Sequence, residues 1–173
     1  MLTRHLLTVL PPVLVLTFAA TASADDPTPD ATPITCRLSA TSPQSAGGPI
    51  EVDLTLVNTR QQDLEILAWG TPFEGWLSKS LVVEKDGEAL PYGGPMVKRG
   101  DPDAEEYILL PAGDEISATA DLSQVYLLEP GTYTVTFPGR IHDLVAAGEP
   151  IPRGGDARTP IRVDCASIEL VVE

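Results

Sequence analysis

The chain has 173 residues, with 25 Asp and Glu against 11 Lys and Arg and a formal net charge of −14. So large an acidic excess argues against nucleic acid and anionic membrane as partners, because both are bound through Lys and Arg. Two cysteines, Cys36 and Cys165, are too few for a structural zinc site.

The first 24 residues have the build of a secretory signal. Arg4 and His5 form a short basic start, Leu6–Phe18 is apolar, and Ala22-Ser23-Ala24 has the small-x-small form of a cleavage site. The apolar run is short for a membrane span and contains Pro11 and Pro12. The mature chain is therefore expected to start at Asp25 and to be exported, periplasmic or extracellular, without a membrane anchor. Asp25–Pro33 is polar and proline-rich, and reads as a flexible tail. An even cysteine count in an oxidising compartment points to one disulfide, Cys36–Cys165, tying the first strand to the last.

From residue 34 to 173 the pattern is that of a single β domain. Ile34, Cys36, Leu38 and Ala40 alternate with polar residues, as do Ile50, Val52, Leu54 and Leu56 after a Gly-Gly-Pro turn cluster. Asn58–Gln62 reads as a turn, and Leu64 and Ile66 resume the alternation into Trp69. Leu81–Glu84 is a strand closed by Asp86-Gly87, a strong hairpin pair. Tyr107–Leu110 is a short apolar strand, turned by Pro111–Asp114 into the alternating run Ile116–Leu122. Tyr133, Val135 and Phe137 face one way after Glu129-Pro130-Gly131, and Tyr133 stands where a tyrosine corner would tie a strand start to the preceding connection. Pro138–Pro160 is hard to read: Ile141–Ala147 fits a helical turn or a strand extension, and Gly148–Pro160 an exposed loop. In the last stretch the apolar residues are odd-numbered at Ile161, Val163 and Cys165 and even-numbered at Ile168, Leu170 and Val172. This change of parity predicts a bulge or a change of sheet near Ala166-Ser167. About seven to eight short strands with regular turns and no amphipathic helix predict an all-β fold, an immunoglobulin-like antiparallel β-sandwich.

No catalytic constellation is expected. After the signal there is one histidine, His142, too few for a His-Glu-x-x-His zinc helix, and no Gly-x-Ser-x-Gly elbow. Carboxylates are plentiful, but no pair singles itself out as an acid and base. The acidic run Asp101–Glu106 offers oxygens for Ca²⁺ but lacks the glycine and ordered spacing of an EF-hand loop. A solvated face, or pairing with the adjacent Lys98-Arg99, explains it more simply. No metal and no cofactor is expected.

Two loop-like runs remain, Trp69–Trp76 and Leu90–Gly100, rich in aromatic residues, glycine and proline. Trp69 extends a strand and is assigned to the core. Phe73 and Trp76 are flanked by Gly, Pro and Glu and are expected at the surface, where aromatic side chains anchor protein interfaces. Phe73, Glu74, Trp76, Tyr92, Met96, Lys98 and Arg99 are the expected partner-binding residues.

A family resemblance rests on these same runs. The segments Leu67–Gly75 (Leu-Ala-Trp-Gly-Thr-Pro-Phe-Glu-Gly) and Pro91–Gly100 (Pro-Tyr-Gly-Gly-Pro-Met-Val-Lys-Arg-Gly), with Ser117–Leu122, Tyr126 and Pro130–Tyr133, resemble the N-terminal propeptide domain of deuterolysin-like metalloendopeptidases. That family includes the aspzincins and peptidyl-Lys endopeptidases, and the resemblance covers about Ile50–Phe137. It implies an immunoglobulin-like sandwich that keeps a metalloendopeptidase latent or helps it fold. No His-Glu-x-x-His domain follows before Glu173, so a free-standing, propeptide-like domain is expected, with a secreted metalloendopeptidase as partner. The alternative is a secreted binding or structural module for a ligand that is not a protease.

Overall fold

The computed structural model describes residues 32–154 and 157–173. The expected signal peptide and residues 25–31 of the expected tail lie outside the described residues. In chain order the strands are β1 (Ile34–Ser39), β2 (Glu51–Asn58), β3 (Leu64–Leu67), β4 (Val82–Lys85), β5 (Glu88–Ala89), β6 (Tyr107–Leu110), β7 (Glu115–Asp121), β8 (Gly131–Thr136), β9 (Arg140–Ile141), β10 (Leu144–Ala146), β11 (Ile161–Arg162) and β12 (Ile168–Val172). Eight of these have four residues or more, and they account for the strands expected from the alternation.

All named strand pairs are antiparallel. One sheet has the order β1-β2-β7 and another β12-β8-β4-β5, with the smaller sheets β10-β3-β6 and β11-β9 beside them. The inward side chains meet in one core. Val52, Leu54 and Leu56 of β2 and Val83, Val135 and Leu170 of β4, β8 and β12 are each fully buried in it. Alternation along β2 explains this: Val52, Leu54 and Leu56 face the opposing sheet, while Glu51 and Asp53 face outward and Thr55, also buried, bonds to the Ser117 hydroxyl of β7 at 2.8 Å.

The turns at Asn58–Gln62 and Pro111–Asp114 are not two hairpins. The β2–β7 ladder ends with Val57 opposite Glu115, and the β3–β6 ladder begins with Leu64 opposite Leu110. Between them the Asn58 N–H donates to Asp114 O (2.9 Å) and the Gly113 N–H to Arg60 O (3.1 Å). The two segments form a matched corner, and the ladder carries on around it into a different sheet. The buried Asn58 side chain holds the corner by donating to Gln62 O (2.8 Å) and Leu110 O (3.1 Å). This is why asparagine, with donors enough for two carbonyls, stands where the strand would otherwise lose its partners.

Local signals read from the sequence are matched elsewhere. Asp86 and Gly87 both have positive φ (54° and 81°), as a two-residue hairpin turn between β4 and β5 requires. The Tyr133 hydroxyl donates to Glu129 O at 2.6 Å, forming the expected corner. Within Ile141–Ala147 there is no helical turn: Ile141 ends β9 and Leu144–Ala146 form β10, with a bend at His142 between them. The parity change near Ala166-Ser167 is a change of sheet: β11 pairs with β9, and β12 with β8. Cys36 and Cys165 are bonded, with Cα atoms 5.0 Å apart. Cys165 lies in the connection before β12, so the bond joins β1 to the approach to the last strand rather than to the strand itself.

Candidate partner-binding site

The Trp69–Trp76 run is built around a short 3-10 turn, Pro72–Glu74. Thr71 caps it by accepting from the Phe73 N–H, and Pro72 supplies the preset φ of a first helical position. Gly70 has φ +71°, and a side chain there would meet the His142 ring at 3.0 Å, so this position of the Trp-Gly-Thr-Pro run needs glycine.

Glu74 organises the loop. Its side chain is only 5% exposed. It accepts from the Gly70 N–H (2.8 Å) and the Ser78 hydroxyl (2.6 Å), and it pairs with the Arg99 guanidinium from the second run. Arg99 also lies 3.7 Å from Glu106 and stacks over the Trp69 ring at 5.0 Å. The Trp69 indole N–H donates to Glu106 at 2.7 Å, and the Arg158 guanidinium sits 5.4 Å from the same ring. Burial works against ionisation of Glu106, but the Asp103 N–H, the Trp69 N–H and Arg99 outweigh it and hold the carboxyl below its usual range. The acidic run Asp101–Glu106 is thus tied to its own neighbours: Asp103 and Glu106 form a capping box, and Asp101 accepts from the Gly154 N–H. Among the described residues no group of three His, Cys, Asp or Glu side chains stands close enough to hold a metal ion.

Phe73 and Trp76, expected at the surface, are half-buried and packed against the core. Trp76 donates its indole N–H to Asp121 O (3.0 Å) and joins Tyr92 and Tyr126 in an aromatic cluster with ring centroids 5.8–6.4 Å apart. The Tyr92 hydroxyl sits 3.0 Å from Ser78 O, with Pro95 O (3.2 Å) and Trp76 O (3.4 Å) also within reach, and so pins the second run onto the first. Burial, reinforced by Glu74, raises the Tyr92 pKa, and burial followed by Tyr92 pushes Tyr126 up to about 12. The buried Tyr126 hydroxyl donates to Leu81 O at 2.5 Å. Two loop tryptophans are therefore framework, because each indole N–H finds an acceptor inside the fold.

Of the seven expected contact residues, Met96 (71% exposed) and Lys98 are open to solvent. Glu74 and Arg99 are spent on each other, and Phe73, Trp76 and Tyr92 are mostly covered. Leu77 and Leu127 are exposed apolar residues that sequence reasoning passed over, and Val97, inside the Leu90–Gly100 run, is exposed as well. For Leu77 the available signal was an apolar residue inside loop sequence, between Gly75 and Ser78, with no alternating neighbour to pair it with a core. His142 is half-buried; burial, then Arg140, lowers its pKa, with Glu74 opposing.

No family model matches the chain. A stretch of 90 residues, 51% of the chain, is 33% identical to an extracellular protease of Aeromonas hydrophila. The chain spans about a quarter of the length of that protein (25%). This likeness fits a protease-related domain, and together with the disulfide it fits an exported protein.

Proposed function

We propose that this chain is an exported, non-catalytic domain of propeptide type, which binds a secreted metalloendopeptidase and acts as its inhibitor or folding helper in the periplasm or outside the cell. The observation that carries this reading is the likeness to part of an extracellular protease. The site is in keeping with it. Its best-placed carboxylates, Glu74 and Glu106, are occupied in holding loops together rather than facing a reacting group. Two runs braced by Glu74, Arg99 and Tyr92 make a preformed surface, and a preformed surface loses less conformational entropy on binding. The test is titration of the purified protein into a deuterolysin-type metalloendopeptidase, with activity and refolding yield as readouts. A saturable fall in activity or a rise in refolding yield at micromolar concentration is expected. No change in either refutes the reading.

A further inference from the structure

Leu127 is the most exposed large hydrophobic side chain among the described residues, at 85%. It borders a cavity of about 590 Å³ whose apolar walls include Leu90, Pro91, Val125, Tyr126 and Tyr133. It also lines a second cavity of about 480 Å³, formed with Pro49, Ile50 and Leu128. An apolar side chain exposed singly needs no explanation, but one shared by two hollows does. The walls are fixed before anything binds. The Tyr126 hydroxyl donates to Leu81 O, the Tyr133 hydroxyl to Glu129 O at 2.6 Å, and the Gly93 N–H to Val125 O at 2.8 Å.

The larger cavity carries one charge of each sign. Lys85 and Glu129 are its charged wall residues, and neither has an ion-pair partner among the described residues. Lys85 instead lies over the Tyr133 ring, 5.3 Å from its centroid, with the Pro130 carbonyl at 3.5 Å. Glu84, Asp86 and Glu88 are its neighbours in the β4–β5 hairpin but do not line the cavity. They and the net charge of −14 oppose a second copy at long range. At physiological salt the Debye length is about 8 Å, so the groups in contact decide.

We propose that this face is a self-association site. Two copies pair about a two-fold axis, each Leu127 entering the other copy's cavity and each Lys85 meeting the other copy's Glu129. A two-fold interface uses one patch twice, so it needs an anchor and a hollow side by side on the same chain, with charges that complement their own copies. This patch has both. A small molecule would fill the cavity, whose volume is in the range for one, but would leave Leu127 in water. The inference does not rest on the protease-binding reading and survives its failure.

Sedimentation velocity of the full chain, from about 10 µM to about 1 mM, measures the association. A reversible monomer–dimer equilibrium is expected, weak because the patch is small. Leu127→Ser removes both anchors of the dimer and is expected to weaken it about a hundredfold, tenfold for each. Leu109→Ser, exposed on β6 and not part of these walls, is the control and is expected to change nothing. Lys85→Glu and Glu129→Lys each set like charges opposite one another and are expected to weaken the dimer about tenfold. Mixed in equal amounts, these two variants regain both pairs, and a mixed dimer of wild-type strength is expected. Thermal unfolding verifies an intact fold for each variant. A chain that stays monomeric to about 1 mM, a dimer indifferent to Leu127→Ser, or a mixture that associates no better than its components overturns the proposal.

Discussion

Replacing Glu74 with alanine tests whether one carboxylate holds the two loops together. The side chain is 5% exposed and receives the Gly70 N–H at 2.8 Å, the Ser78 hydroxyl at 2.6 Å and the Arg99 guanidinium. A hydrogen bond to a charged group contributes about 1.5–3 kcal/mol, and a buried donor left without an acceptor costs about 1–3 kcal/mol. Arg99 is 24% exposed and turns to water when released, so its ion pair is discounted to about 1 kcal/mol or less. Taken together, Glu74→Ala is expected to cost about 3–4 kcal/mol. For a domain of this size that lowers Tm by about 10 °C. Glu74→Gln keeps an acceptor for Gly70 and Ser78 and loses only the charge, so its shift is expected to be about half as large. Glu105→Ala, at an exposed position, is the control and is expected within about 0.5 kcal/mol of wild type. Thermal unfolding followed by near-ultraviolet circular dichroism reads all three. A Glu74→Ala protein that melts within about 3 °C of wild type would refute the argument that this carboxylate organises the site.

The Cys36–Cys165 bond closes a loop of sequence separation 129, so the chain-entropy model expects the Cys36→Ser/Cys165→Ser variant to lose about 5 kcal/mol; a denaturant midpoint giving a loss under about 1 kcal/mol contradicts this. His142 has a pKa depressed in the fold, first by burial and then by Arg140, so the unfolded chain takes up the proton first. Its contribution is present above the ordinary histidine value of about 6.5 and is lost as pH falls below it toward the folded value. His142→Gln should therefore flatten the fall of Tm across that window, and an unchanged pH slope would show that His142 is not its source. Glu106 carries the same sign lower down, its contribution being lost as pH falls below the ordinary carboxylate range of about 4.3. Asp121 is held down in the same acidic range, so the part of the low-pH fall in Tm that Glu106→Gln removes is the measure of Glu106.

The strands were legible because their signal is local. Val52, Leu54 and Leu56 declare a buried face through spacing alone, and Asp86-Gly87 declares a hairpin because few other pairs tolerate positive φ twice in succession. The Tyr133 corner closes over four residues, and the parity change before Ile168 is written in the order of the side chains. The Asn58–Gln62 and Pro111–Asp114 segments show the limit of such reading. Each has turn-like residues, yet they form a corner because each supplies the other's hydrogen bonds across the ladder. Residues 58 and 114 have no way of announcing that partnership in sequence.

The acidic balance, the alternation of the strands and a cysteine pair suited to an exported disulfide were determined by the sequence itself, since composition and period depend on neighbours only. Which loop residues face solvent was decided by the tertiary structure. Trp76 is drawn inward by a carbonyl 45 residues away, Trp69 by a carboxylate 37 away, and Glu74 by a guanidinium 25 away. These long-range acceptors and donors make framework of the most conspicuous aromatic residues and leave the plainer Leu77, Met96 and Val97 on the outside. The physical reason is that a polar group keeps its side chain inside a fold only where a partner meets it, and such partners are brought together by the fold rather than by the order of the chain.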